Sequence, residues 1–131
     1  MEVIRFGLGE NVPNVGMSAA VRFGEIIAIS GQVALNKEGE LIGKGDFAAQ
    51  AEQCFANLAA VLKRAGSSLR DVVMITSYLT SAQYAPAFLA ARAKYFPEQA
   101  PASTTVVAQL LNPDLLVEIQ ALAVISRPWG T

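Results

Sequence analysis

The chain has no histidine and a single cysteine, Cys54. The first absence removes every reaction that needs an imidazole base, and with it histidine metal ligands and histidine proton shuttles. The second leaves no disulfide and no thiolate metal cluster, and a lone thiol suits a reducing compartment. Charge is scarce: 16% of residues carry it, and ten Lys and Arg stand against eleven Asp and Glu for a net charge of −1. That balance gives no electrostatic footprint for a nucleic acid. Every apolar run meets a polar break before reaching membrane-spanning length, so no membrane contact is expected. The opening MEVIRFGLGENVPN lacks the basic-then-apolar order of a secretion signal. Together these features point to the cytoplasm. Glycine-rich nucleotide loops and metal-ligand spacings are missing too, so no metal is expected.

What is abundant is apolar. Hydrophobic residues make up 53% of 131 residues, too many for a disordered chain. The length fits one domain over 1–131, with no repeat or linker. A protein this small has much surface for its volume, so the apolar surplus implies surface buried against other copies.

Glycine, Asn and Pro between Gly7 and Gly16 mark a loop. Ala19 to Phe23 and Ile26 to Val33 read as strands of a hairpin turned at Gly24-Glu25. Asp46 is placed to cap a helix. Phe47, Ala51, Phe55, Leu58 and Leu62 then form its apolar stripe, and Gly66 stands where a left-handed cap is wanted. Asp71 to Leu79 is rich in β-formers. A second helix is expected over about Tyr84 to Phe96, with Pro86 in its first turn. Ala102 to Leu110 and Leu115 to Ile125 are read as two more strands around an Asn112-Pro113-Asp114 turn. The last of these is largely apolar on both faces, so both should be buried. Two helices can cover one face of the sheet; the other needs a partner, most simply another copy.

Few residues are candidates for chemistry. Glu118 interrupts LLVEIQALAVI inside an otherwise apolar strand. A carboxylate there is costly unless paired or hydrogen-bonded. It either ties down backbone N–H groups or a basic partner, or it orients water in a pocket. Gly31, after Ser30, permits either close approach of a ligand or a bulge. Ser103 and Thr105 are two apart on a strand and so share a face. Cys54 reads as a small buried hydrophobe, and Tyr78, Tyr84 and Tyr95 as packing residues. Glu52 falls on the polar side of the first helix.

The order of elements and several motifs resemble one family. The matching segments are IIAISGQVALN (26–36), QAEQCFANLAAVLKRAGSSLRDVV (50–73), Tyr95-Phe96 before a proline-rich turn, Pro101-Ala102-Ser103, and LLVEIQALAV (115–124). The chain is similar to the reactive-intermediate imine deaminases, the YjgF/YER057c/UK114 family. The resemblance implies an α+β fold: a mixed six-stranded sheet with two helices on one face, chorismate-mutase-like. It further implies a homotrimer with a barrel-like core of packed sheet faces. Three inter-subunit clefts would each take a small metabolite, and imines of 2-amino acids would be hydrolysed to 2-oxo acids and ammonia without a cofactor.

The site match is partial. The family arginine that grips a substrate carboxylate falls on Ser103 and the family cysteine on Thr105. An asparagine of the second helix falls near Leu89, and a tyrosine before the first hairpin falls near Met17 or Ser18. Ser30-Gly31 and Glu118, the family's water-positioning glutamate, are kept. Glu118 is expected in the cleft near Ser103 and Thr105, within reach of Ser30-Gly31. Arg92 shares a helical face with Leu89; it either reaches the cleft or, the favoured reading, is a solvated helix arginine. The implied function is a divergent hydrolase of C–N bonds with little activity on ordinary 2-imino acids. The alternatives are a non-catalytic ligand-binding or chaperone-like trimer and, last, a ribonuclease or translation inhibitor.

Overall fold

Asp46 starts the longer helix as its side chain type dictates: its carboxylate accepts the Ala49 N–H at 3.1 Å, relieving one of the donors a helix start leaves unpaired. Helix α1 runs over Phe47–Arg64. All five stripe residues are buried. It stops at Gly66, whose φ of 86° lets Gly66 N–H reach the Lys63 carbonyl and Ser67 N–H the Leu62 carbonyl, the Schellman closure. The computed structural model describes residues 1–125; residues 126–131, the end of the expected 1–131 domain, lie outside the described residues.

Six strands form one sheet: β1 Val3–Phe6, β2 Ala20–Phe23, β3 Ile26–Gln32, β4 Val72–Leu79, β5 Ala102–Val107 and β6 Val117–Val124. Their order is β1-β2-β3-β6-β4-β5. Every pairing is antiparallel except β4 with β5. Helix α2, Ala85–Tyr95, spans that parallel crossover, which a tight hairpin cannot make. The expected second helix thus begins in a 3₁₀ turn, Ala82–Tyr84, with Pro86 in the first turn of α2. The expected strand to Leu110 stops at Val107. There β5 leaves the edge, and Asn112 forms an Asx turn by accepting the Asp114 N–H at 2.8 Å. The strand β1 was not expected: VIRF is short and carries Arg5 among its apolar residues.

One face of the sheet is covered by the helices. Val117, Ile119, Ala121 and Ala123 of β6 join Ile27, Ile29 and Ile75 against α1 in the buried core. Phe55 is its aromatic hub, with ring centroids 4.7 Å from Tyr95, 6.0 Å from Phe96 and 6.2 Å from Phe88. Phe47 stacks on Tyr84 at 4.6 Å, so both tyrosines pack as expected. The other face, with Val21, Ala28, Leu122, Met74 and Ala102 in its middle, has no helix over it. Leu122 and Ala28 are half-buried and Met74 and Ala102 exposed. The reading that both faces of the last strand are buried holds for one face only within a single chain.

Polar side chains fasten the loops. Gln50 of α1 is fully buried. It donates to the carbonyls of Asp114 (2.9 Å) and Gly43 (3.2 Å) and accepts the Leu116 N–H at 2.8 Å. Asn57 donates to Val33 and Leu35 carbonyls at 2.9 and 2.8 Å. Glu52, on the outer side of α1, holds Lys94 at 2.8 Å and accepts from the Tyr95 hydroxyl. Lys94 and then Tyr95 hold the Glu52 carboxyl below its ordinary range. The same bond, with burial, pushes Tyr95 up to about 12. No helix among the described residues is long and apolar enough to cross a membrane.

Candidate functional site

Two groups of residues form on opposite sides of the sheet. The first gathers around Glu118. Alternation along β6 turns Glu118 away from the helices, onto the uncovered face. Its cross-strand neighbour is Tyr78. On the other side lies Gly31, where the β3–β6 register shifts between Ile29 and Gln32. A Cβ at residue 31 would stand 2.8 Å from the Glu118 carboxyl carbon and 3.0 Å from its Cγ. Gly31 is therefore both a bulge and a close approach, and what approaches is the chain's own carboxylate.

Glu118 is half-buried, and burial holds its carboxyl above the usual carboxylate range. Among the described residues no hydrogen bond or ion pair takes up its oxygens. Ser30 is differently placed. Its hydroxyl donates to the Ser18 carbonyl at 2.6 Å, and its N–H to Ala19. This hydroxyl ties the Met17-Ser18 loop to β3. Met17 stays largely exposed.

The second group lies on the helix side. Ser103 pairs with Ile75 and Thr105 with Ser77, both fully buried under the helices. Their opposite numbers across the sheet, Tyr78 and Glu118, share the other face with Val106. Within one chain, then, the expectation that Glu118 meets Gly31 holds. Ser103 and Thr105 of the same chain lie across the sheet from it, and the expected meeting is one between subunits. Parallel pairing with β4 decides the face, and that register could not be read from composition.

Ser103 has company. With Leu89, Arg92, Ala93, Phe96, Ala100 and Pro101 it lines a half-open cavity of about 390 Å³ between α2 and β5. Arg92 Nη1 donates to Ser103 Oγ at 2.9 Å, and its guanidinium lies 5.6 Å from the Phe88 ring centroid. Arg92 stays partly exposed, as a helix arginine read as solvated would, and also reaches from α2 to the strand position where the resemblance puts an arginine. Leu89 and Ser103 are brought together. Thr105 lies further along the β5 edge, beside Ser77, whose buried hydroxyl has no hydrogen-bond partner among the described residues.

Cys54 belongs to neither group. It is fully buried, its Sγ 3.7 Å from the Val117 carbonyl, and burial and then the Glu118 charge push its thiol up to about 12. It is the buried hydrophobe expected. Among the described residues no cluster of three or more His, Cys, Asp or Glu could hold a metal.

The comparisons with known proteins agree with this architecture. A family model described as endoribonuclease L-PSP matches residues 10–125. A RutC family protein of Pyrococcus horikoshii is 38% identical over 117 residues, 87% of this chain and 92% of the relative. The 3-aminoacrylate deaminase RutC of Acinetobacter baylyi is 34% identical over 79% of this chain and 82% of its own length. Among solved structures, a YjgF/YER057c/UK114 family member from Mycobacterium tuberculosis superposes with a TM-score of 0.82 at 28% identity, covering 95% of this chain and all of that one. Sequence, fold and family model coincide over nearly the whole described chain, and the protein belongs to the YjgF/YER057c/UK114 family of imine-deaminase-like proteins.

Proposed function

We propose that the protein hydrolyses a C–N bond of a small imine or enamine metabolite, without a cofactor, in clefts between the subunits of a cytoplasmic homotrimer. The observation that carries this reading is Glu118: a half-buried carboxylate in an apolar strand whose oxygens no group among the described residues takes up. A structural carboxylate in such a place would be expected to have a partner. A raised pKa makes it a better base near neutral pH. In the reaction Glu118 takes a proton from water as the water oxygen attacks the C=N carbon. Glu118 returns that proton to the imine nitrogen, which becomes an amine. The new hydroxyl's proton follows it, and the C–N bond breaks to leave a carbonyl and ammonia; an enamine first tautomerises to the imine, a proton moving from nitrogen to carbon.

Because the sheet separates Glu118 from Ser103 and Thr105 within one chain, the cleft takes its two walls from two copies. One supplies Glu118 with Gly31, Ser30 and Met17; the next supplies Leu89, Ser103 and Thr105. The uncovered apolar face of the sheet supports such assembly, since apolar area removed from water contributes about 25 cal/mol per Å². The A. baylyi relative bears the name of a 3-aminoacrylate deaminase, which favours unsaturated amino acids as substrates. Activity on 2-imino acids is expected to be low, because Ser103 cannot grip a carboxylate as an arginine rooted on the strand would. RNA cleavage fits poorly with a net charge of −1.

The test is ammonia release from 3-aminoacrylate and 2-iminopropionate generated in the assay. Wild type should act faster on the first, with an acid limb set by Glu118 above the ordinary carboxylate range. Glu118→Gln should abolish turnover and leave the trimer intact by light scattering. Its stability separates function from scaffold. Folding raises the Glu118 pKa, so the residue has no cost below its unfolded pKa. It subtracts stability as pH rises from there through the native value. The variant should therefore unfold no earlier than wild type at pH 7, with the difference shrinking toward acid pH. Full turnover by the variant, or a monomeric wild type, would defeat the proposal.

A further inference from the structure

The cavity between α2 and β5 contains a cation without a counter-charge. Lys94, two residues on, is neutralised by Glu52 at 2.8 Å. Arg92 makes no ion pair among the described residues. Its guanidinium is oriented by two contacts, the exposed bond to the Ser103 hydroxyl at 2.9 Å and the face of Phe88. Neither contact removes charge, and the Ser103 bond occupies only Nη1 of a group with five donors. The rest of the wall is apolar or small: Leu89, Ala93, Phe96, Ala100 and Pro101. A planar, pre-oriented fork at the edge of a hollow whose lining is part polar and part apolar matches a carboxylate on a short carbon chain. Holding the guanidinium in place before a ligand arrives lowers the ordering cost of binding.

We infer that Arg92, positioned by Ser103, is the carboxylate-binding residue of this cavity, and that the ligand is a small monocarboxylic acid with a short apolar body. As an assignment of substrate class this rests on the hydrolytic reading above; as a binding site it stands on the geometry of Arg92, Ser103 and the cavity. The position of the fork matters as well as its charge. An arginine rooted at residue 103 would carry its guanidinium away from the strand at the end of a long side chain. Here the guanidinium lies against the short Ser103 side chain, close to β5. The carboxylate anchor is displaced toward the strand, so the acid that fits differs from a 2-imino acid in the distance between its carboxylate and its C–N bond.

The experiment uses sodium propionate and propionamide as probes, titrated into the full chain. The readouts are the Arg92 Nε–H and Leu89 methyl NMR signals. Propionate should shift both saturably, and propionamide should bind at least about tenfold more weakly, as loss of a charged hydrogen bond predicts. Arg92→Gln should abolish the Leu89 shift. Arg92→Lys keeps the charge and the packed stem but loses the fork, and should weaken propionate by at least about fivefold. Equal binding of the two probes, or unaltered propionate binding in the Lys variant, overturns the assignment. Glu118→Gln should bind propionate at least as tightly as wild type, because it removes a negative charge facing the anion. Loss of turnover in Glu118→Gln with normal binding in both Arg92 variants would sink this inference and spare the hydrolytic reading. Loss of binding in the Arg92 variants with full turnover in Glu118→Gln would do the reverse.

Discussion

Glu118 and Arg92 can serve one substrate only if they come from different copies, and that makes a quantitative prediction. Ser103, to which Arg92 is bonded, pairs with Ile75 on the helix face, while Glu118 pairs with Tyr78 on the other. No side-chain rotation carries either group through the sheet. In a closed ring each cleft then draws Glu118 from one copy and Arg92 from its neighbour. Glu118→Gln and Arg92→Gln should each be inactive alone. Denatured together at equal concentration and refolded, the two chains fill each cleft by independent draws. A cleft is whole when its Arg92 wall comes from the first variant and its Glu118 wall from the second. That happens in about a quarter of clefts, whatever the number of copies in the ring. The mixture should thus recover about a quarter of the wild-type ammonia release per chain. The control mixes wild type with the doubly substituted chain. A cleft shared between copies again retains about a quarter of activity, whereas a site within one chain retains about half. A mixture of single variants with no activity above either alone, together with the one-half control, would refute the shared cleft.

Two further predictions concern the scaffold. Gln50→Leu removes three hydrogen bonds that hold the Gly43 turn and the entry to β6 onto α1. It leaves partly exposed backbone groups without these bonds, so denaturant unfolding should show a loss of about 1–3 kcal/mol. A loss under half a kcal/mol would mean those loops find other partners. Ser77→Ala deletes a fully buried hydroxyl with no partner among the described residues and should stabilise the protein by about 1 kcal/mol; a loss of similar size would reveal a partner for the hydroxyl.

The parts that were legible in the sequence are those fixed by local rules. The stripe from Phe47 to Leu62, the Asp46 cap and the Gly66 stop specify α1 residue by residue, because periodicity and capping act within a few positions. Glu118 was legible because one charge in an apolar strand is conspicuous. Gln50 was missed, although it carried a signal: it lies three residues from Phe47 and four from Cys54, squarely on the buried stripe. A polar residue there implies a buried hydrogen-bonding duty. β1 was missed because four residues with a central arginine give no clear alternation. The facing of Ser103 and Thr105, and the reach of Arg92, depend on the β4–β5 register and on how α2 lies over it. Both are tertiary facts with no local code.

The same register keeps Glu118 and Arg92 of one chain apart. A carboxylate and a guanidinium on one face of a small domain could pair, at a gain that screening and desolvation keep small. Pairing would neutralise Arg92 as an anion site and hold Glu118 ionised, well below the pKa that suits a base near neutral pH. Placing them on opposite faces of β6 and β5 prevents this within the chain. In the proposed assembly each would face the other's neighbour across a cleft that a substrate can occupy. The apolar uncovered face would then do two things at once. Its burial would contribute stability to the assembly, and it would set two charges of opposite sign on facing walls, with a carboxylate at one end of a ligand and water at the other to keep them apart.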